Sequence, residues 1–436
     1  MGKFFAELAK MKLVRWPPIL NNGAMKSQPK KNVKRGFQDF QVTYDSRGDL
    51  LFYGSVLKPS ADPAYVYSAP QLQHRAKEFL GLMKKSLDQP LQIHYAMKAN
   101  SNPQILKTLK SLGYCIDVVS LGELKIALKA GFKPNQVLFS GVGKTKIEIQ
   151  TAIKLKIFQL NVESIPELER VGQIAERLKT PVNIGVRINP GVNPQTHPYI
   201  ATGFRENKFG IDPTQLKSVL EIFRRYKNLR YQGLSLHIGS QIFDFSPLAE
   251  AIQIALKIDK DLEAQGFVSK VFDVGGGIGV DYKNSSEMVD SKTLQDFLKV
   301  LQENLHDCKK KLCFEPGRFL VARAGVLLTE VQYVKETPYK KFVVVNTGMN
   351  HLLRPALYQA FHRIIPLKLS NDKSNKKEIV DVVGPVCESS DVLGQDRNLP
   401  GIKEGDWLAI LDVGAYGFSM ASSYNSFPLP KEIFQK

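Results

Sequence analysis

The chain has 436 residues, of which 43% are hydrophobic and 23% charged, and its formal net charge is +18. This length points to two or three domains, or to one large barrel with an addition, and the composition is that of a soluble globular protein. No apolar run approaches the ~18 residues of a membrane span.

The four cysteines, Cys115, Cys308, Cys313 and Cys387, show neither CxxC pairing nor zinc-ligand spacing. Free thiols in a reducing cytosol are the simplest reading, and no metal site is expected. The charge is uneven. Residues 1–40 hold nine Lys or Arg against Glu7 and Asp39, and the remaining excess is dispersed without a long basic block. This piece reads as a basic N-terminal extension, flexible around "KSQPKKNVKR" (26–35). Its first residues could form a short amphipathic helix at a membrane surface or partner, a targeting peptide, or an inert tail.

"FQVTYDSRGDLLFYG" (40–54) is strand-like, with a turn at Ser46–Asp49. Residues 41–65 are expected to add N-terminal strands to a β domain. From there, eight strand-like runs follow: 93–97, 115–120, 137–141, 157–162, 183–189, 233–239, 271–277 and 311–317. Amphipathic stretches such as 122–131, 164–178 and 248–266 lie between them, with apolar residues at three- and four-residue intervals. Strand–helix alternation implies parallel strands with right-handed crossovers. Eight such units predict a (β/α)8 TIM-type barrel over 66–322. After Arg318 the pattern changes. Runs at 323–336, 341–348, 376–390 and 406–417 predict a C-terminal β domain over 323–436, with a polar surface loop at 371–377.

In such a barrel, chemistry gathers at the C-terminal ends of the strands. The polar residues there are Lys98 and Asn100, Asp117 and Ser120, Arg187 and Asn189, then "HIGSQ" (237–241), "GGGIG" (275–279) and "EPGR" (315–318). Two tempting motifs fail on spacing. "GVGKTK" (141–146) would need a glycine where Leu138 stands, and "GGGIGV" ends in Val280 rather than glycine. Taken singly, Lys98 reads as a solvated strand tip, His237 as a core histidine and the glycines as a tight turn. Together they suggest more. A glycine-rich turn can offer backbone N–H groups to a phosphate. A lysine in a desolvated site is expected to have a lowered pKa and to serve as a reactive amine. Phosphate plus amine suggests pyridoxal 5'-phosphate, whose ring nitrogen needs a carboxylate such as Glu315; His237 could lie against the ring.

"YAMKAN" (95–100), "ENKFGI" (206–211), "HIGSQ", "GGGIG", "EPGR", "MNHLLRPALYQAFH" (349–362), "CESSD" (387–391) and "GAYG" (414–417) occur in order. As a set they resemble the PLP-dependent decarboxylases of the alanine-racemase-like barrel type, the class-II Orn/Lys/Arg decarboxylase family. The resemblance runs from about Phe40 to the C-terminus. "ADPAYVYS" (61–68) departs from the family's usual Gly-Thr-Pro-type lead-in at a domain junction.

The resemblance implies the following roles. Lys98 holds the cofactor covalently. Ser240, Gly277 and the backbone of Pro316, Gly317 and Arg318 bind its phosphate. Glu315 pairs with the ring nitrogen, His237 stacks on the ring, and Tyr416 lies near phosphate and substrate. Arg318, Arg354 and Tyr358 hold the carboxylate that is not lost, and Glu388 binds the distal ammonium. Cys387 donates a proton, with "CESSD" supplied by the partner subunit of a homodimer with shared active sites.

Arg354 beside Tyr358 is of no use to members acting on ornithine or lysine. It favours those converting meso-2,6-diaminopimelate to L-lysine and CO2 in the cytoplasm. The alternatives are ornithine, lysine or carboxynorspermidine as substrate, and Arg354 in a structural ion pair. A catalytically dead relative would be expected to lose Lys98, Glu315 or Cys387, all present here. A nucleic-acid binder would need a recognition motif, and none is seen.

Overall fold

The computed structural model describes residues 42–193, 203, 206–369 and 377–435. The expectations for residues 1–40, and for most of the 371–377 loop, lie outside the described residues. Strands β1 (Val42–Tyr44), β2 (Leu50–Phe52) and β3 (Ser55–Val56) form a small antiparallel sheet, with Thr43 opposite Leu51. The Leu50 N–H donates to the Leu367 carbonyl at 2.9 Å. Leu50, Phe52 and Leu57 pack with Val326, Leu328 and Leu367, so this segment is anchored on the β domain. β4 (Ala64–Ser68) is buried throughout.

The barrel then builds one unit at a time. α1 (Ala69–Ser86) leads into β5 (Leu91–Ala96), α2 (Pro103–Ser111), β6 (Cys115–Val118), α3 (Leu121–Lys129), β7 (Val137–Phe139) and α4 (Lys146–Leu155). β8 (Gln159–Val162), α5 (Ile165–Leu178), β9 (Val182–Arg187), α6 (Leu216–Arg225) and β10 (Leu229–Ser235) continue it. α7 (Ser246–Glu263), β11 (Val271–Asp273), α8 (Glu287–Leu305) and β12 (Lys311–Phe314) complete it. All eight strands pair in parallel, and β12 returns to β5 with Leu312 opposite Leu91. The strands stop earlier than the sequence pattern suggests. Gly275 and Gly277 have φ of +77° and +108°, which no strand accommodates, so β11 ends at Asp273.

Local chemistry fixes the helices. Ser68, Ser120 and Ser164 each accept a backbone N–H from the first turn of the helix that follows, an N-cap worth about 1 kcal/mol. In α5 the buried face is Leu168, Val171, Ile174 and Ala175, a helical spacing that lays it on the barrel wall. Inside the barrel, Gln159 and Asn161 fill space that Gly185 leaves. A Cβ at Gly185 would come within 2.2 Å of both side chains.

A short helix, α9 (Arg318–Val321), leads into the β domain. This comprises β13 (Gly325–Glu336), β14 (Lys341–Val345), α10 (Arg354–Tyr358), β15 (Ile364–Pro366), β16 (Lys377–Val383), β17 (Val392–Pro400), β18 (Trp407–Ile410) and β19 (Lys431–Gln435). The strand order is β15-β18-β13-β14-β16-β17, and β4 pairs with both β13 and β19. β17 was not expected. Its centre, Gln395–Asn398, is polar, and it is an edge strand paired only to β16 on this path.

A buried ion network ties barrel to β domain. Arg75 of α1 pairs with Glu287 and, at 2.6 Å, with Asp290 of α8. Arg323 pairs with Asp290 at 2.8 Å and with Asp412, just after β18, at 2.9 Å. Among the described residues, no helix is long and apolar enough to cross a membrane.

Candidate active site

Lys98 lies one turn beyond β5, in the 3-10 segment Met97–Ala99, not on the strand itself. Loops from both domains hold this turn. Tyr95 Oη donates to the Asn100 carbonyl at 2.9 Å, and Asn100 Nδ2 to the Gly414 carbonyl at 2.9 Å. The Tyr416 N–H donates to the Ala99 carbonyl at 2.8 Å, with Tyr416 at φ +56°. "GAYG" therefore reaches from the β domain to the barrel's mouth.

Lys98 Nζ is 3.4 Å from Asp117 Oδ2, on the neighbouring strand β6. Burial pulls the pKa of the amine down, but Asp117 first, then Tyr416 and Glu315, raise it above the ordinary lysine value. This corrects the sequence-based expectation of a lowered value: burial is the largest single influence, but Asp117, Tyr416 and Glu315 together outweigh it.

Glu315 follows β12, and its N–H donates to the Gly275 carbonyl at 2.6 Å. Burial, then the charges of Asp273 and Asp117, push its carboxyl well above the usual range. Its side chain shares a hydrogen bond with that of Asp273, which also accepts the Gly275 N–H at 3.0 Å. Two carboxyls this close and this buried keep a proton between them.

His237 Nδ1 accepts the Gly276 N–H at 3.3 Å, leaving the hydrogen of the neutral ring on Nε2. Burial, then Arg187 and Lys98, hold its pKa well below 6.5. Arg187 Nη1 pairs with Glu163 at 2.9 Å, and Nη2 donates to the His237 carbonyl at 3.1 Å. Arg187 thus braces the histidine's backbone and is spent on that task.

One cavity of about 190 Å³ is lined by Ala96, Lys98, His237, Ser240, Gly277, Ile278, Glu315, Pro316, Gly317, Arg318, Phe319, Tyr358 and Tyr416. The glycines are required there. A Cβ at Gly276 would stand 2.2 Å from the Glu315 carbonyl oxygen, and one at Gly277 2.4 Å from that of Gly239. Arg318 Nη2 donates to Ser240 Oγ at 3.1 Å, Nη1 to Tyr282 Oη at 3.2 Å, and its guanidinium lies 4.7 Å from the Tyr416 ring centre. Arg318 Nε is buried and has no hydrogen-bond partner among the described residues.

A second cavity of about 460 Å³ shares Arg318 and Tyr358 with the first and is also lined by Arg354, Tyr282 and Phe361. Among the described residues, neither Arg318 nor Arg354 has a carboxylate at ion-pair distance, although they are only 7% and 4% exposed. Arg354 rests instead on His362 and on the Tyr282 ring.

Other sequence candidates have structural duties. Ser120 caps α3, and Asn189 Oδ1 accepts the Gly191 N–H at 3.0 Å. Gln241 Nε2 donates to the Val280 carbonyl at 2.6 Å. Lys144 of "GVGKTK" is buried on Glu167 at 2.8 Å and on the Asn161 carbonyl at 2.7 Å.

Cys387 and Glu388 line neither cavity and are exposed. Tyr424 Oη donates to Glu388 at 2.7 Å. Sequence reading passed over Asp273, Tyr282 and His362. The first lay inside an apolar run, and the third closed a motif without being given a role.

The cavity's chemistry fits a phosphorylated pyridine aldehyde. It offers one amine, a proton-holding carboxyl, and a hydroxyl, glycines and an orphaned guanidinium N–H for an anion. Comparison with known proteins agrees. Residues 73–322 match the family model described as "Pyridoxal-dependent decarboxylase, pyridoxal binding domain". The diaminopimelate decarboxylase of Aquifex aeolicus is 41% identical over 390 residues, covering 88% of this chain and 90% of that protein. That of Vibrio cholerae is 44% identical over 373 residues, covering 85% and 87%. The crystal structure of the Helicobacter pylori diaminopimelate decarboxylase complexed with L-lysine has 42% sequence identity and a TM-score of 0.79, covering 86% of this chain and 92% of that one. A (β/α)8 barrel closed by a β domain, with these residues at its mouth, places the chain in the pyridoxal-dependent decarboxylase family, among the diaminopimelate decarboxylases.

Proposed function

We propose that the chain decarboxylates meso-2,6-diaminopimelate to L-lysine and CO2, using pyridoxal 5'-phosphate. One observation carries the choice of substrate: two buried arginines, without acidic partners among the described residues, line the second cavity, and one of them, Arg318, also lines the cofactor cavity. A buried guanidinium left uncompensated is costly, and a ligand carboxylate relieves it. Ornithine and lysine, once their scissile carboxylate is placed, have no second one to offer.

When bound, the cofactor supplies an electron sink for the pair released as the carboxylate leaves. The chain's residues do the rest. Lys98 Nζ is the amine that would hold the cofactor covalently. Ser240, Gly277, Gly317 and Arg318 bind the phosphate, with the Pro316 backbone fixing the turn. Glu315 would hold a proton for the ring nitrogen. His237, neutral, would cover the ring and exclude water.

Arg318, Arg354 and Tyr358 orient the retained carboxylate, and Tyr416 closes over phosphate and substrate. Cys387 Sγ returns a proton to Cα, and Glu388 binds the distal ammonium. Both come from a second copy in a homodimer, since in one chain the 387–390 loop is exposed and borders neither cavity. Four free thiols suit a reducing cytoplasm.

The test is CO2 release from meso-diaminopimelate and from L-lysine. Wild type should prefer the former. Arg354→Ala should lower kcat/KM on diaminopimelate by about 30-fold or more, the loss expected of a buried charge-assisted pair. Any lysine turnover should hardly change. Equal losses on both substrates would refute the assignment.

A further inference from the structure

The first turn of α10 carries Arg354, and the loop that follows carries His362. Arg354 Nη1 lies 2.7 Å from His362 Nε2, and His362 Nδ1 lies 2.9 Å from the Leu411 carbonyl oxygen. A carbonyl oxygen only accepts, so the ring hydrogen sits on Nδ1. Nε2 then presents a lone pair and accepts from the guanidinium. His362 is fully buried. Burial, and then the charge of Arg354, hold its pKa well below 6.5, so the ring is neutral. Tyr282 completes the mount. The Arg354 guanidinium lies 4.3 Å from its ring centre, and the His362 ring meets it edge-on with centroids 5.1 Å apart. Leu411 follows β18, so the β domain's sheet sets the position of the imidazole.

A buried arginine is usually steadied by Asp or Glu, and such a partner would neutralise it permanently. Here the steadying group has the geometry of a partner without its charge. Arg354 Nε is buried and has no hydrogen-bond partner among the described residues, so the guanidinium retains both a free donor and its full charge.

We infer that His362 is a positioning residue for substrate specificity: a neutral acceptor that fixes Arg354 while leaving its charge for the substrate's retained carboxylate. This rests on the substrate reading above. It assigns the discrimination to a pair, Arg354 with His362, instead of to the arginine alone. An acid at 362 would satisfy Arg354 internally and weaken the ligand's hold. A purely structural role makes the opposite forecast, because an acid would then stabilise the buried charge and leave ligand binding intact.

The experiment uses the cofactor-loaded enzyme and four proteins: wild type, His362→Gln, His362→Leu and His362→Asp. Thermal unfolding establishes that each is folded. Calorimetry then measures binding of L-lysine, which carries the retained carboxylate, and of 1,5-diaminopentane, the same chain without it. Steady-state kinetics on meso-diaminopimelate separate KM from kcat.

Wild type should bind lysine at least about tenfold tighter than the diamine, the preference a charge-assisted carboxylate contact supplies. His362→Gln can also accept from Arg354 through its amide oxygen and should keep most of that preference. His362→Leu and His362→Asp should lose it, with KM raised about tenfold or more and kcat changed far less. If wild type shows no preference for lysine, the substrate reading fails and this inference with it. If wild type shows it and both the Leu and Asp variants retain it, the positioning role alone is overturned. Should the Asp variant not fold, the Gln and Leu pair decides: equal preference in both overturns the role.

Discussion

At the scale of single residues, the site is governed by which carboxyl stands beside which cation. Asp117 keeps Lys98 as an ammonium, while Asp273 keeps a proton on the pair it forms with Glu315. The amine must lose its proton to bond the cofactor's aldehyde. A raised pKa means that loss is delayed, so covalent uptake of pyridoxal 5'-phosphate by the cofactor-free protein should speed up as pH rises into the alkaline range. In Asp117→Asn, burial acts unopposed by that carboxylate and the amine's pKa falls. The rise should then move to lower pH by about one unit or more. Stopped-flow absorbance, with borohydride fixing the label at Lys98, measures it; a profile that stays put or moves upward would refute the Asp117 role. Much of the cavity lining was legible because its residues sit in short motifs at strand ends, where barrel geometry forces convergence. The amine's electrostatics were not legible. Asp117 is 19 residues from Lys98 along the chain, and only parallel pairing of β5 with β6 sets the two side by side. Tyr282 was hidden for the same reason, standing 72 residues from the Arg354 whose guanidinium its ring supports. His362 stands eight residues after Arg354 in one motif, but nothing in the spacing shows that the chain after α10 turns back to set the imidazole on the guanidinium.

At the scale of elements, strand–helix alternation was enough to read the barrel, since each unit must bury its apolar face on the next. The β domain was only partly legible. Its edge strand β17 is polar at its centre, so its pairing with β16 leaves little hydrophobic pattern. The junction of the two domains was not legible, because it is built from charges dispersed over α1, α8, Arg323 and Asp412. Arg75 has no exposed surface and its guanidinium lies 4.3 Å from the Phe319 ring centre. Removing it leaves Glu287 short of a cation and Asp290 with Arg323 alone. Arg75→Met should therefore cost about 3–5 kcal/mol, the usual loss when one partner of a buried pair is deleted. Arg47 offers the contrast: its side chain is 72% exposed beside Asp45. Arg47→Ala should change stability by less than about 1 kcal/mol. Denaturant unfolding of the two variants compares them directly, and similar midpoints would show that the interdomain network contributes no more than a surface pair.

At the scale of the whole molecule, the chain's own geometry divides the proposed machinery. Lys98, Glu315 and Arg318 meet around one cavity, which Tyr416 reaches from the β domain, while Cys387 and Glu388 stand exposed on a loop that borders neither cavity. That loop is well fixed: the Asp391 carboxylate accepts N–H groups of Val386 and Met349, and the Cys387 N–H donates to Asn425 Oδ1 at 3.3 Å. A fixed, exposed, polar loop is suited to insertion into the mouth of a second copy, which a two-fold dimer permits twice over. Co-expression of differently tagged Lys98→Ala and Cys387→Ala chains, followed by two-step affinity purification, isolates the hybrid dimer. If each site takes its lysine from one chain and its thiol from the other, the hybrid has one intact site and one carrying both lesions. It should recover about half of wild-type turnover, whereas Lys98→Ala homodimers should be inactive and Cys387→Ala homodimers nearly so. If both groups come from one chain, every site in the hybrid carries one lesion and no activity returns. The two architectures thus predict opposite results from the same purified species, and a hybrid as inactive as its parents would rule out the shared site.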